Sequence, residues 1–160
     1  MKKRIMSLCC TFLLIIGMLF ISTNNAKAAS DDPILDGSYL THDEESVGYV
    51  TSFTRGVDLL ASYSKCARLG PGKLFAGGTT IATRDVNSVR VTVLVERAKE
   101  GDTSWTYYDH WSKENVNADR VSSSRTLLVE GGYYYRVRCT HSAHLDLGSS
   151  FTNGVFIEKP

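Results

Sequence analysis

The sequence predicts an all-β domain, a β-sandwich or small barrel of about seven strands. Three observations carry this reading. Val89, Val91, Val93 and Val95 alternate without a miss in SVRVTVLVERA, the period of two that marks a strand with one buried face. Turn signals interrupt the chain at short intervals: Gly70-Pro71-Gly72, Lys99 to Thr103 and Gly131-Gly132. No heptad, long helical stripe or internal repeat intervenes, so nothing supplies the crossover helices of a parallel sheet.

The elements follow in order. Residues 29 to 54 are acidic with scattered apolar side chains and read as an N-terminal arm or linker. The domain proper spans residues 55 to 160. Tyr63 to Leu69 is strand-like, although Arg55 to Lys65 is also compatible with a short helix. Lys73 to Thr83 is the second strand, and Gly77-Gly78 inside it signals a bulge or a close backbone approach. Ser88 to Ala98 is the valine strand. Trp105 to Trp111 (WTYYDHW) is an aromatic strand. Ser112 to Asp119 is polar and reads as a loop. Val121 to Glu130 and Tyr133 to His141 are strands joined by the two glycines. A loop through Gly148 leads to a last strand from Phe151 to Glu158.

The first 28 residues read as a signal peptide. Lys2, Lys3 and Arg4 precede the apolar run Thr11 to Ile21, and Ala26-Lys27-Ala28 offers small residues where signal peptidase cuts. The run is short for a membrane anchor, which needs about 20 apolar residues. Cleavage after Ala28 removes four basic residues and leaves 14 basic against 17 acidic, a net charge of −3. A nucleic-acid partner or an anionic membrane calls for a basic excess, so neither is expected. The expected location is extracellular, either free or associated with the cell wall.

Cleavage also leaves Cys66 and Cys139 as an even pair in an exported chain, for which a disulfide is the default. Closing so long a loop is worth about 4 kcal/mol in the chain-entropy model. The competing reading is a thiol nucleophile at Cys139 with His141 on the same strand face.

Three histidines invite a metal reading. His141 and His144, with His110 and Asp109 nearby, are candidate ligands. On a continuing strand His141 and His144 face opposite sides, which defeats chelation, so no metal or other cofactor is expected. GPGKLFAGGTT fails the spacing of a phosphate-binding loop, and no G-x-S-x-G elbow is present. Nothing brings Asp102 and Asp109 together as a glycosidase pair. The aromatic residues offer a binding face instead: Tyr108, Trp111 and Tyr134 are the candidates for an exposed patch.

In VEGGYYYRVRCTHSAH, Tyr133, Tyr135, Val137, Cys139 and His141 share one strand face, with Tyr134, Arg136, Arg138 and Thr140 on the other. A tyrosine just past a glycine turn can bury its ring and return its hydroxyl to the backbone, the tyrosine-corner device. TLLVEGGYYYRVRC resembles the E–F corner of fibronectin type III domains, which implies an immunoglobulin/fibronectin-like antiparallel β-sandwich. Gly70 to Thr83, Val89 to Arg97, Trp105 to Trp111 and Gly131 to Ala143 together are similar to short exported proteins of Gram-positive bacteria with no assigned function. That likeness implies export and an all-β domain and carries no catalytic residues. The expectation is a secreted, non-catalytic interaction module for an extracellular protein, glycan or envelope component. The alternatives are a small metal-dependent hydrolase using the His141/His144 region, and a secreted toxin or antagonist.

Overall fold

The computed structural model describes residues 32–51 and 57–160. The expected signal peptide lies outside the described residues. The described chain is all-β, a curled mixed sheet with no helix. Its nine strands are β1 (Ile34–Leu35), β2 (Ser38–Thr41), β3 (Glu45–Tyr49), β4 (Leu59–Gly70), β5 (Lys73–Ala98), β6 (Thr106–Leu128), β7 (Tyr133–Ala143), β8 (Asp146–Phe151) and β9 (Gly154–Ile157). The order across the sheet is β1-β2-β9-β7-β5-β4-β3, with β6 along β5 and β8 along β7.

β5 organises this arrangement. Its first half pairs with β4 on one side and with Arg120 to Leu128 of β6 on the other. Its second half keeps β6 as a neighbour, now through Thr106 to Ala118, and exchanges β4 for β7. The register slips between Ile81 and Val86, where the ribbon bends. Asn117 takes a left-handed φ of 49° at the same bend, a conformation asparagine tolerates better than most residues. The segment 112 to 119, expected as a loop, therefore continues the strand. Its polarity reflects an outward position rather than a break in pairing.

The bend folds β6 back on itself. Trp111 Nε1 donates to Ser123 Oγ at 3.1 Å, Arg125 stacks over the Trp111 ring at 4.6 Å, and Asp109 pairs with Arg125 at 3.6 Å. Asn115 Nδ2 donates to the Arg120 carbonyl at 2.7 Å. Side chains thus stitch the two halves of one strand together.

The core lies inside the curl. Val89, Val91, Val93 and Val95 are fully buried, as their alternation requires, beside Leu74, Val121, Tyr135, Val137, Val155 and Ile157. Each such side chain contributes about 1.5–3 kcal/mol when removed from water. Tyr135 Oη donates to the Glu130 carbonyl at 2.8 Å, across the turn where Gly132 adopts φ 86°. This is the hydroxyl-to-backbone return expected of a tyrosine after the glycine pair. Gly131 is required for a different reason. A Cβ there would run into the backbone of Glu158 and Lys159.

Three expectations change. The acidic segment 29 to 54 is no loose arm where it is described, because it contributes three strands. β2 pairs with β9 in parallel, through Leu40 with Gly154 and Thr41 with Val155, so the sheet is not wholly antiparallel. β3 pairs with β4 from Glu45 to Tyr49. Short strands with few apolar residues carry a weak periodic signal, and the partner of β2 lies far away in sequence.

The third change is the disulfide. Cys66 and Cys139 are separate, buried thiols, not at bonding distance. Cys66 Sγ points at the Tyr135 carbonyl at 3.2 Å, whereas Cys139 sits four residues further along β7. Four residues of extended strand span about 13 Å, too far for a sulfur–sulfur bond. Cys139 Sγ instead packs over Gly78, where an added Cβ would lie 2.5 Å from it. The close approach signalled by Gly77-Gly78 is thus partly a seat for this sulfur.

Candidate functional site: a registered grid on the outer sheet face

The residues of the competing nucleophile reading, Cys139 and His141, are sealed in the core. Burial pushes both thiols up to about 12, so they stay protonated. His141 is completely buried on β7. Thr80 donates its hydroxyl hydrogen to the Arg90 carbonyl at 2.9 Å and so must accept from His141 Nδ1, also 2.9 Å away. Nε2 then accepts from Ser150 Oγ at 2.8 Å. Both ring nitrogens are committed, and burial lowers the imidazole to about 4.

The other histidines point elsewhere. His144 is exposed in the β7–β8 turn at φ 55°. His110 is exposed on β6 with Nδ1 bonded to Tyr107 Oη at 2.8 Å. The three do not converge, and among the described residues no metal-ligand cluster forms.

The aromatic candidates also move inward. Trp111 and Tyr134 are buried, and Tyr108 is half-buried against Tyr135. Trp111 faces the core because it pairs with Val93. Tyr134 lies on the outer face but is roofed by β1 and β2 in a second small cluster with Leu35, Leu40 and Phe156. None of the three presents a bare ring.

The roof is held by Arg136. This guanidinium is 1% exposed and sits over the Trp105 ring at 4.5 Å. Its Nε donates to Glu96 at 2.8 Å. Its Nη1 donates to the Asp36 carbonyl at 3.0 Å and to Ser38 Oγ at 3.1 Å, and its Nη2 to the Asp36 carboxylate at 2.7 Å. Arg136 and its hydrogen bonds hold the Asp36 carboxyl below the ordinary carboxylate range.

Beyond that roof the outer face of β6, β5, β7 and β8 lies open, and the strand registers align it into rows. Ser112 pairs with Thr92, Thr92 with Thr140, and Thr140 with Ser149. Four hydroxyls therefore cross four adjacent strands, about 14 Å from first to last at the usual strand spacing. The neighbouring row, fixed by the same pairings, is His110, Leu94, Arg138 and Phe151. A groove of about 390 Å³ runs over these two rows. Its size falls within the ordinary range of small-ligand sites.

The chemistry of the groove is open to a ligand. Thr92 and Ser112 bond to each other at 2.9 Å. Thr140 and Ser149 are exposed. The Arg138 side chain is half exposed and, among the described residues, its one ion pair is with the far oxygen of Glu96, at 3.7 Å, while Arg136 holds the other oxygen of that carboxylate. Phe151 is 46% exposed. The sequence places Arg138 and Thr140 on one strand face, and the valine alternation leaves Thr92 and Leu94 opposite the buried face of their own strand. Only the pairing of β5 with β7 and of β7 with β8 reveals that they share one surface.

No protein-family model matches the chain, and no match is found among curated proteins or solved structures.

Proposed function

We propose that the chain is an exported interaction module, built as an immunoglobulin-like sandwich, that takes an extracellular protein, glycan or envelope component on the outer face of β5, β6, β7 and β8. One observation carries this reading. An open groove of about 390 Å³ lies over a registered grid of hydroxyl, cationic and aromatic side chains, while His141 and both thiols are locked in the core. The sandwich assignment is supported by the packing of β4 against β7, β8 and β9 across the core and by the Tyr135 corner. Export is supported by the basic, apolar and small-residue order of the first 28 residues.

The test is an array of glycans and peptides probed with the wild-type chain and with a Thr140→Lys, Ser149→Lys variant. Both substitutions fall on exposed positions and leave the core intact. The wild type is expected to retain a set of ligands that the variant loses at least tenfold. Binding that the variant keeps, or an array on which the wild type retains nothing, refutes the reading.

A further inference from the structure

We propose that the ligand of this groove is an acidic saccharide whose carboxylate is received by Arg138 with His110. The inference rests on the interaction-module reading above and narrows its ligand class. It starts from register. Leu94 pairs with His110 on one side and Arg138 on the other, so the two polar residues flank one apolar side chain on the same face. Their Cα atoms are two strand spacings apart, about 10 Å. A planar monoanion above Leu94 lies within reach of both side chains.

The donors are free to serve it. His110 Nδ1 is bonded to Tyr107 Oη, and Nε2 makes no hydrogen bond to any described residue. When the tyrosine donates to Nδ1, Nε2 carries the proton and points outward as a donor. Arg138 offers a planar fork suited to a carboxylate. Its contact with Glu96 is long, and Glu96 is already bonded to Arg136 at 2.8 Å, so Arg138 keeps its donors. The nearby Glu96 charge favours a singly charged guest over a phosphate monoester.

The rest of the groove argues for a sugar rather than a peptide. A peptide recognised by strand addition needs free backbone groups, yet β5 and β7 are paired on both sides along this stretch. What the face offers is a row of hydroxyls, from Thr92 through Thr140 to Ser149, able to donate and accept to a polyhydroxylated chain. Phe151, next to Arg138 in the same row, supplies an apolar ring face for the C–H side of a pyranose.

The experiment titrates the purified chain with an oligosaccharide containing glucuronate and with the same oligosaccharide after reduction of its carboxyl groups. The acidic form is expected to bind about 10- to 100-fold more tightly, the range of a charge-assisted hydrogen bond pair. Arg138→Gln is expected to erase that preference. Phe151→Ala is expected to weaken both forms alike, and circular dichroism confirms that each variant is folded. Equal affinity for the two forms, no binding of either, or a preference that survives Arg138→Gln overturns the assignment. Retention of neutral glycans or of peptides on this face, sensitive to Thr140→Lys, Ser149→Lys, also overturns it while leaving the module reading intact.

Discussion

Acidification should destabilise this protein through a single buried imidazole. His141 has both nitrogens bonded to hydroxyls inside the core, and burial lowers it from 6.5 to about 4. Above pH 6.5 the imidazole is neutral in the folded and unfolded chain alike, and its environment has no pH-dependent effect. Between pH 6.5 and 4 the unfolded chain binds a proton that the folded chain refuses, so stability falls as pH falls. Below about pH 4 both states are protonated and the loss levels off. The difference corresponds to about 1 kcal/mol lost by pH 5.5 and about 3 kcal/mol in all. Against a typical domain stability of about 5–15 kcal/mol this is a large fraction. The assay is urea unfolding at pH 7.5, 5.5 and 4.5 for the wild type and for His141→Gln, which retains a donor and an acceptor. Carboxylates such as Asp36, held low by Arg136, and Glu114, held low by Ser88 and then Arg90, contribute to both proteins and cancel in the comparison. The wild type should lose roughly 2–3 kcal/mol more than the variant between pH 7.5 and 4.5. Parallel curves would show that the imidazole titrates as if in water, and the buried, neutral assignment would fail.

Two further outcomes are expected. Arg136→Met leaves the Glu96 carboxylate, 12% exposed, without its main partner, and breaking a buried pair costs about 3–5 kcal/mol. Amide exchange over Ser38 to Thr41 should accelerate as β1 and β2 detach, and unchanged protection there would refute the pinning role of Arg136. In native buffer neither Cys66 nor Cys139 should react with iodoacetamide, and both should react after unfolding without reductant. A chain that takes up no label when unfolded, and gains two daltons on reduction, would show the pair bonded after all.

Several parts of this architecture were open to a reader of the residues alone. The valine alternation in 89 to 95 depends only on local pairing with one buried face, and the structure buries all four side chains. The corner at Glu130 to Tyr135 was legible because glycine and tyrosine act over five residues. The strand segments of β5 and β6 were found, but their fusion through the bend was not, since outward residues such as Lys113 and Glu114 look the same in a loop and on an exposed strand. The N-terminal strands are hard to read because they are short and weakly alternating, and β2 is held by residues more than a hundred positions away, Asn153 and Thr152 among them. The grid escaped for the same reason. Thr92, Thr140 and Ser149 are unremarkable singly, and no local pattern states that they share a row. The aromatic candidates failed in the opposite sense. Large rings near a core are worth more inside it, and Trp111 and Tyr134 went there.

The parallel contact between β2 and β9 has a kinetic consequence. Residues near position 40 find their permanent neighbours only when residues near position 154 exist. During synthesis β2 therefore lacks its β9 neighbour until more than a hundred further residues have been made, while β3 needs only β4. Topologies dominated by such distant pairings mature in milliseconds to seconds rather than microseconds. The seam between β2 and β9 therefore closes after the neighbours of β3 and β4 have already been made.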